Sequence, residues 1–212
     1  MGQHFKFLNK EFSDEYINLF RQLYDEIEDC KIVKEQHLKY ILRPEHLQEH
    51  YIHKFPWIKT LPQFDYTQET LVFFRMNPTW PNGDMFHIHI DPLNANANIN
   101  IPVYNCTNEA TTSWVEPIGE VVNQVEERAG DKIVSGETEV DFLKSSYRVI
   151  ESVSITDRCC LFKGDVYHKV DLYSKEDKTR VMCKIWSRDL GWDNLQERWK
   201  DYIDNEYSIS AT

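Results

Sequence analysis

Residues 94–101 of this chain read Asn-Ala-Asn-Ala-Asn-Ile-Asn-Ile, a strict alternation of polar and apolar side chains. A period of two puts the asparagines on one face of an extended strand, whereas a helix would scatter both sets around its axis. The segment is therefore read as a strand with an asparagine face, and a strand needs partners. Candidates lie on both sides: Glu69–Met76, Met85–Asp91, Thr111–Val115, Val140–Leu143, Arg148–Ser152, Cys159–Phe162, His168–Leu172 and Arg180–Ser187. Turn-forming groups separate them, at Asn77-Pro78, residues 81–84, Gly119, Gly130-Asp131, Gly136, Lys163-Gly164-Asp165 and residues 174–178.

The first third has a different rhythm. Tyr16, Ile17, Leu19, Phe20, Leu23, Tyr24 and Ile27 recur at steps of three and four, with acids between them, which predicts an amphipathic helix. Ser13 is the expected N-cap, with acidic residues in the first turn. A second helix is expected from Pro44 to His53, with Pro44 in its first turn and Phe55-Pro56-Trp57 ending it. A third is expected within residues 194–207, on Leu195, Trp199, Tyr202 and Ile203. Many short strands after a helical section predict a mainly β fold with some α: a double-stranded β-helix, or jelly roll. Its core spans 69–187, residues 1–60 form a helical support, and the 212 residues make one domain.

Charge and cysteine content narrow the function classes. Lys and Arg number 24 against 35 Asp and Glu, a formal net charge of −11. That balance disfavours a duplex nucleic-acid binder, which gains affinity by placing cations on phosphates. The five cysteines have no regular spacing and include the adjacent Cys159-Cys160, which fits structural thiols in a cytoplasmic setting. On a strand those two side chains point to opposite faces. The first residues lack the apolar run of a signal peptide, and no stretch is long and apolar enough for a membrane span.

Two separated fragments carry the chemistry. On the strand ending at Asp91, His89 and Asp91 share a face, and Pro92 suits the strand's end. His168, far along the chain, supplies a second imidazole from a strand expected to lie alongside. Two histidines and one carboxylate on one side of an octahedral ion leave three positions open, the arrangement expected of non-haem Fe(II). Zinc accepts the same donors. Arg180, twelve residues after His168, favours iron with 2-oxoglutarate: a guanidinium offers two parallel donors to a distal carboxylate. The sequence between them, with its acidic and basic turn, reads as a hairpin of neighbouring antiparallel strands. Asn100, Tyr104, Trp114, Arg75 and Lys184 are further candidates for co-substrate or substrate contacts, and His87 for a place beside His89.

These fragments resemble the Fe(II)/2-oxoglutarate-dependent dioxygenases, with their His-X-Asp/Glu, distal His and following basic residue. The pieces are residues 86–92 around His89-Ile90-Asp91, residues 165–170 around His168, and residues 179–185 around Arg180. The strand Ile99–Val103, with Asn105–Asn108 and Trp114–Glu116, is similar to uncharacterised phage and marine microbial members. The resemblance covers about residues 69–187. It implies that His89, Asp91 and His168 bind Fe(II), that Arg180 binds 2-oxoglutarate, and that dioxygen oxidises a small-molecule or peptide substrate. Hydroxylation of a C–H bond, with release of succinate and carbon dioxide, is the expected outcome.

Other readings stay open on the residues alone. A cupin-like metal enzyme without 2-oxoglutarate would want more histidines and would leave Arg180 without a task. A non-catalytic β-sandwich binding module would use His89 and Asp91 structurally. His46-Leu47-Gln48-Glu49-His50 matches an inverted zincin pattern, yet such a site needs a later carboxylate on a neighbouring helix, and the downstream chain is strand-like.

Overall fold

The asparagine-faced segment forms a strand, Ala97–Tyr104, in the computed structural model of the chain. The structure describes residues 4–28, 34–36, 39–79, 85–91, 97–118, 123–124, 138–140, 146–187 and 191–206. Asn94, Asn96, Pro92, Cys30, the turn at 81–84, the glycines at 119, 130 and 136, and the 141–143 part of one expected strand lie outside them. Among the described residues the strands run β1 Phe5–Phe7, β2 Lys34–Gln36, β3 Lys39–Leu42, β4 Thr70–Met76, β5 Met85–Ile90, β6 Ala97–Tyr104 and β7 Ala110–Ile118. They continue with β8 Asn123–Gln124, β9 Thr138–Val140, β10 Ser146–Val153, β11 Cys160–Lys163, β12 His168–Leu172 and β13 Arg180–Trp186. The α-helices are α1 Lys10–Glu28, α2 Pro44–His46 and α3 Trp192–Trp199.

Two antiparallel sheets result. One has seven strands in the order β1-β11-β6-β13-β4-β3-β2; the other has six, in the order β10-β7-β12-β5-β9-β8. From β4 to β7 the chain changes sheet at every step, and it does so again from β10 to β13. That winding of paired strands is the double-stranded β-helix. It also corrects one expectation: β12 and β13 are not neighbours in one sheet but lie in opposite sheets. The connection after Leu172 therefore carries Arg180 across to the wall facing His168.

The seven-stranded sheet is covered on both faces, so its alternation sorts two interiors rather than inside from outside. Phe73, Ile99, Ile101, Val181, Cys183 and Ile185 join Phe20, Leu23 and Tyr24 of α1 in one large apolar cluster. The alternate positions, Phe74, Asn100, Arg180, Met182 and Lys184, face a cavity between the sheets. Phe20 has no exposed surface. Truncating such a side chain to alanine costs on the order of 3–5 kcal/mol. Behind the cavity Trp114, fully buried, stacks on Phe5 and packs against Phe162, and its indole N–H donates to the Lys163 carbonyl at 2.9 Å. This makes Trp114 a wall of the barrel, consistent with its burial among aromatic rings.

The supporting elements differ from the sequence reading in instructive ways. α1 starts three residues before Ser13, and Asn9 accepts the Phe12 N–H on its side-chain oxygen at 2.9 Å. Ser13 instead sits buried on the inner face, its hydroxyl accepting the Cys159 N–H at 3.0 Å. Residues 1–60 are more than a helical support, because β1, β2 and β3 extend the seven-stranded sheet on both flanks. These strands are three or four residues long, too short for a period of two to stand out. The Pro44 segment makes one α-helical turn and then a π-helical stretch, Leu47–Tyr51, rather than a regular helix to His53. α3 begins two residues earlier than expected and gives way to a 3-10 turn, Lys200–Tyr202.

Candidate metal centre

β5 and β12 are hydrogen-bonded neighbours with His89 directly opposite His168, and their rings lie 4.4 Å apart between centroids. Asp91 follows the end of β5, where its backbone N–H donates to the Gly164 carbonyl at 2.9 Å. That bond fixes the carboxylate beneath the two imidazoles. Its Oδ1 lies 3.6 Å from His89 Nε2 and 3.9 Å from His168 Nε2, and the ligand atoms of all three residues fall within 4.8 Å of one another. Two donors at 2.2 Å from a shared ion can be at most about 4.4 Å apart, so both measured separations suit one ion.

The histidine and aspartate chemistry is prepared for a cation. His168 Nδ1 lies 2.8 Å from the Val166 carbonyl, which sets Nδ1 as the protonated nitrogen and leaves the Nε2 lone pair free. Nε2 is buried and finds no hydrogen-bond partner among the described residues. An orphaned acceptor of this kind costs about 1–3 kcal/mol unless something fills the space. Burial, reinforced by the neighbouring His89, pushes the His168 pKa down to about 3, so the ring is neutral and able to ligate. Burial acts against ionisation of Asp91, yet Lys184, His168 and His89 together outweigh it, and its carboxyl is held far below the usual carboxylate range. These three side chains therefore fit a resident metal ion: two imidazole nitrogens, one ionised oxygen, and a buried lone pair with nothing to do.

The second oxygen of Asp91 is occupied differently. Oδ2 accepts from Lys184 Nζ at 3.0 Å and from Asn98 Nδ2 at 3.1 Å. Both donors come from the seven-stranded sheet, whereas His89 and His168 belong to the six-stranded one. Asp91 thus bridges the two walls. The sequence reading missed Asn98, although the alternation that singled out Asn100 puts Asn98 on the same face; both are buried, at 0% and 3% exposure.

Arg180 stands on the wall opposite His168, lining the same cavity of about 50 Å³. It is 6% exposed, its Nη1 lies 3.7 Å from the Met76 sulfur, and its Nε has no partner among the described residues. Asn100 lines the same cavity, and its buried Oδ1 likewise has no partner among the described residues. Phe74, Phe162, Met182 and Val170 supply apolar lining.

Two further candidates turn away from the cavity. Arg75 bonds the Tyr40 hydroxyl at 2.9 Å and pairs with Glu28 at 3.2 Å, on the helix-covered side. The Tyr104 hydroxyl donates to Asp25 of α1 at 2.8 Å. His87 lies in β5, but its side chain is outside the described residues. His50 stands 3.6 Å from its neighbour Glu49 with both side chains largely in solvent, and the His46–His50 motif joins no metal-holding cluster among the described residues. Cys159 and Cys160 do face opposite ways, one into the helix-side core and the other into the cluster around Trp114.

No family model matches the sequence, and no curated protein matches it. Similar solved structures include a prolyl 4-hydroxylase from Phytophthora capsici, at 13% identity and a TM-score of 0.44, over 89% of this chain and 63% of that one. The chain thus spans less than two thirds of that protein's length. The epimerase SnoN, in complex with Fe3+, alpha ketoglutarate and nogalamycin RO, is similar at 10% identity and a TM-score of 0.42, over 87% of this chain and 78% of that one. A Pseudomonas putida prolyl-4-hydroxylase follows at 10% identity and a TM-score of 0.38, over 88% and 94% of the two chains. No described helix is long and apolar enough to cross a membrane. What the site can do chemically is carried by the chain's own side chains.

Proposed function

We propose that this protein is an Fe(II)- and 2-oxoglutarate-dependent oxygenase that hydroxylates a C–H bond of a small molecule or peptide, with release of succinate and carbon dioxide. The observation that carries the reading is the convergence of the His89, Asp91 and His168 ligand atoms beside a cavity that a buried arginine lines from the opposite wall. Iron, when bound, supplies the redox chemistry that couples decarboxylation of the keto acid to oxidation of substrate by dioxygen. The chain's part is geometric and electrostatic. His89, Asp91 and His168 would hold the metal through two imidazole nitrogens and one carboxylate oxygen. Arg180 offers its forked donors to the distal carboxylate of 2-oxoglutarate, a match for which lysine has no equivalent. Asn100 turns an amide toward the same space, and the Phe74, Phe162 and Met182 side chains give it an apolar lining.

An anaerobic titration with Fe(II) and 2-oxoglutarate tests the pairing: a metal-to-ligand charge-transfer band is expected, and it disappears in His168→Ala. In aerobic assays with candidate substrates, succinate is expected to form only when 2-oxoglutarate is supplied. Arg180→Met is expected to raise the KM for 2-oxoglutarate by at least roughly tenfold, as when one partner of a buried charge pair is removed. Unchanged 2-oxoglutarate kinetics in that variant, with iron still bound, would defeat the role given to Arg180.

A further inference from the structure

Lys184 is an unusual neighbour for a metal ligand. Its ammonium lies 3.0 Å from Asp91 Oδ2, deep in the cavity, with 13% of its side chain exposed. It also rests over two aromatic faces, 5.2 Å from the Phe74 ring centroid and 4.9 Å from that of Phe162. The rings hold the ammonium in place independently of the carboxylate. Arg180 is a second cation on the same cavity, and Asp91 is the sole acidic side chain of the His89–Asp91–His168 cluster. A buried carboxylate without a cation is strongly disfavoured, so something must balance Asp91 when no metal is there.

Resting on the metal-site reading above, we propose that Lys184 is an internal counter-ion that competes electrostatically with the metal for Asp91. It keeps the empty centre charge-balanced and folded, and it lowers the centre's affinity for a divalent cation. The two oxygens of the carboxylate divide the task. Oδ1 faces the imidazoles and Oδ2 faces the ammonium, so metal and lysine share one anion without exchanging places. Two positive centres drawn to one carboxylate oppose each other, and the weaker screening inside the barrel magnifies that opposition. Lys184 is thus a positioning residue whose charge sets how tightly the centre holds its ion.

The sign of one measurement separates this from a merely orienting role. Losing an outer partner that only orients a ligand weakens metal binding, on the order of 10–100-fold. Losing a competing cation does the reverse. Lys184→Met keeps most of the stem and the ring contacts while removing the charge. In competition titrations with Co(II) or Zn(II) alone, Lys184→Met is expected to bind at least roughly tenfold more tightly than wild type. In the metal-free state the same variant is expected to lose roughly 10 °C in Tm, because Asp91 is left without its counter-ion. Lys184→Met combined with Asp91→Asn removes both charges and is expected to recover most of that loss, which keeps the test open even if the single variant folds poorly.

Weaker metal binding by Lys184→Met overturns the proposal, as does a double variant no more stable than the single one. If wild-type protein takes up neither Co(II) nor Zn(II), the metal reading itself fails. The metal-free stabilities then still decide whether Lys184 balances Asp91.

Discussion

His168 illustrates what burial does to a titratable side chain held for ligation. With its folded pKa pushed down to about 3 from an ordinary 6.5, the unfolded chain binds more protons than the folded one between those values. Stability therefore rises with pH through that window, and is lost as pH falls through it, at up to about 1.4 kcal/mol per pH unit. Asp91 shifts the same way for the opposite reason, its charged form being the one that is held, and its influence begins only below the ordinary carboxylate range. Metal-free protein is thus expected to show a falling Tm between pH 6.5 and 4, measured by thermal melts. His168→Gln is expected to flatten that slope; an unchanged slope would mean that His168 is not the group responsible. Asn98 makes the complementary case. It is a neutral donor to Asp91 Oδ2, so Asn98→Ala is expected to weaken Co(II) binding roughly tenfold, the usual cost of losing a bond that orients a ligand. His89, Asp91 and His168 were legible in the sequence because ligand types are rare enough to notice. Asn98 was less so, because an asparagine in an alternating run is equally suited to solvent, and only the second sheet turns its face into an interior.

Individual elements were read best where their periodicity ran long. The alternating run that became β6 stood out, as did the apolar stripe of α1, whereas only Thr111–Val115 of the nine-residue β7 was read as strand. The three-residue β1 shows why short strands escaped: Phe5-Lys6-Phe7 has one alternation, and its partner, Cys160–Phe162, lies more than 150 residues away. The start of α1 turned on a subtler competition. Asn9 and Ser13 are both of a type that caps well, and the sequence reading took Ser13. Ser13 was removed from that role by tertiary contact, since the Cys159 N–H needed an acceptor inside the core. A capping oxygen is worth about 1 kcal/mol, so Asn9→Ala is expected to lower stability by about that amount, or roughly 2–4 °C in Tm for a chain of this size. Co(II) affinity is expected not to move, because α1 packs on the far side of the seven-stranded sheet from the cavity. A changed affinity would show that the helix and the centre are coupled through that sheet.

At the scale of the molecule, the sheet-swapping path from β4 to β13 is what assembles the site. Sequence order suggested that His168 and Arg180 belong to one hairpin, and their separation of twelve residues is compatible with either one sheet or two. Register between strands is a property of long-range pairing, which no local pattern encodes; it is the six-stranded sheet that sets His168 opposite His89. Asp91 then ties that sheet to the other through Lys184 and Asn98, so the centre sits where the two walls meet. A ligand that binds the folded chain and not the unfolded one stabilises the whole fold, by an amount fixed by its affinity and concentration. At a free Co(II) concentration one hundred times the Kd, this amounts to about 2.7 kcal/mol, or roughly 5–11 °C in Tm for a domain of this size. Wild-type protein is expected to show that rise, with Tm continuing to climb as Co(II) is increased further. His168→Ala and Asp91→Ala are expected to show little or none, while remaining folded enough to melt cooperatively. A concentration-dependent rise of equal size in both alanine variants would locate the binding elsewhere on the molecule, and would leave the convergence of residues 89, 91 and 168 without a chemical purpose.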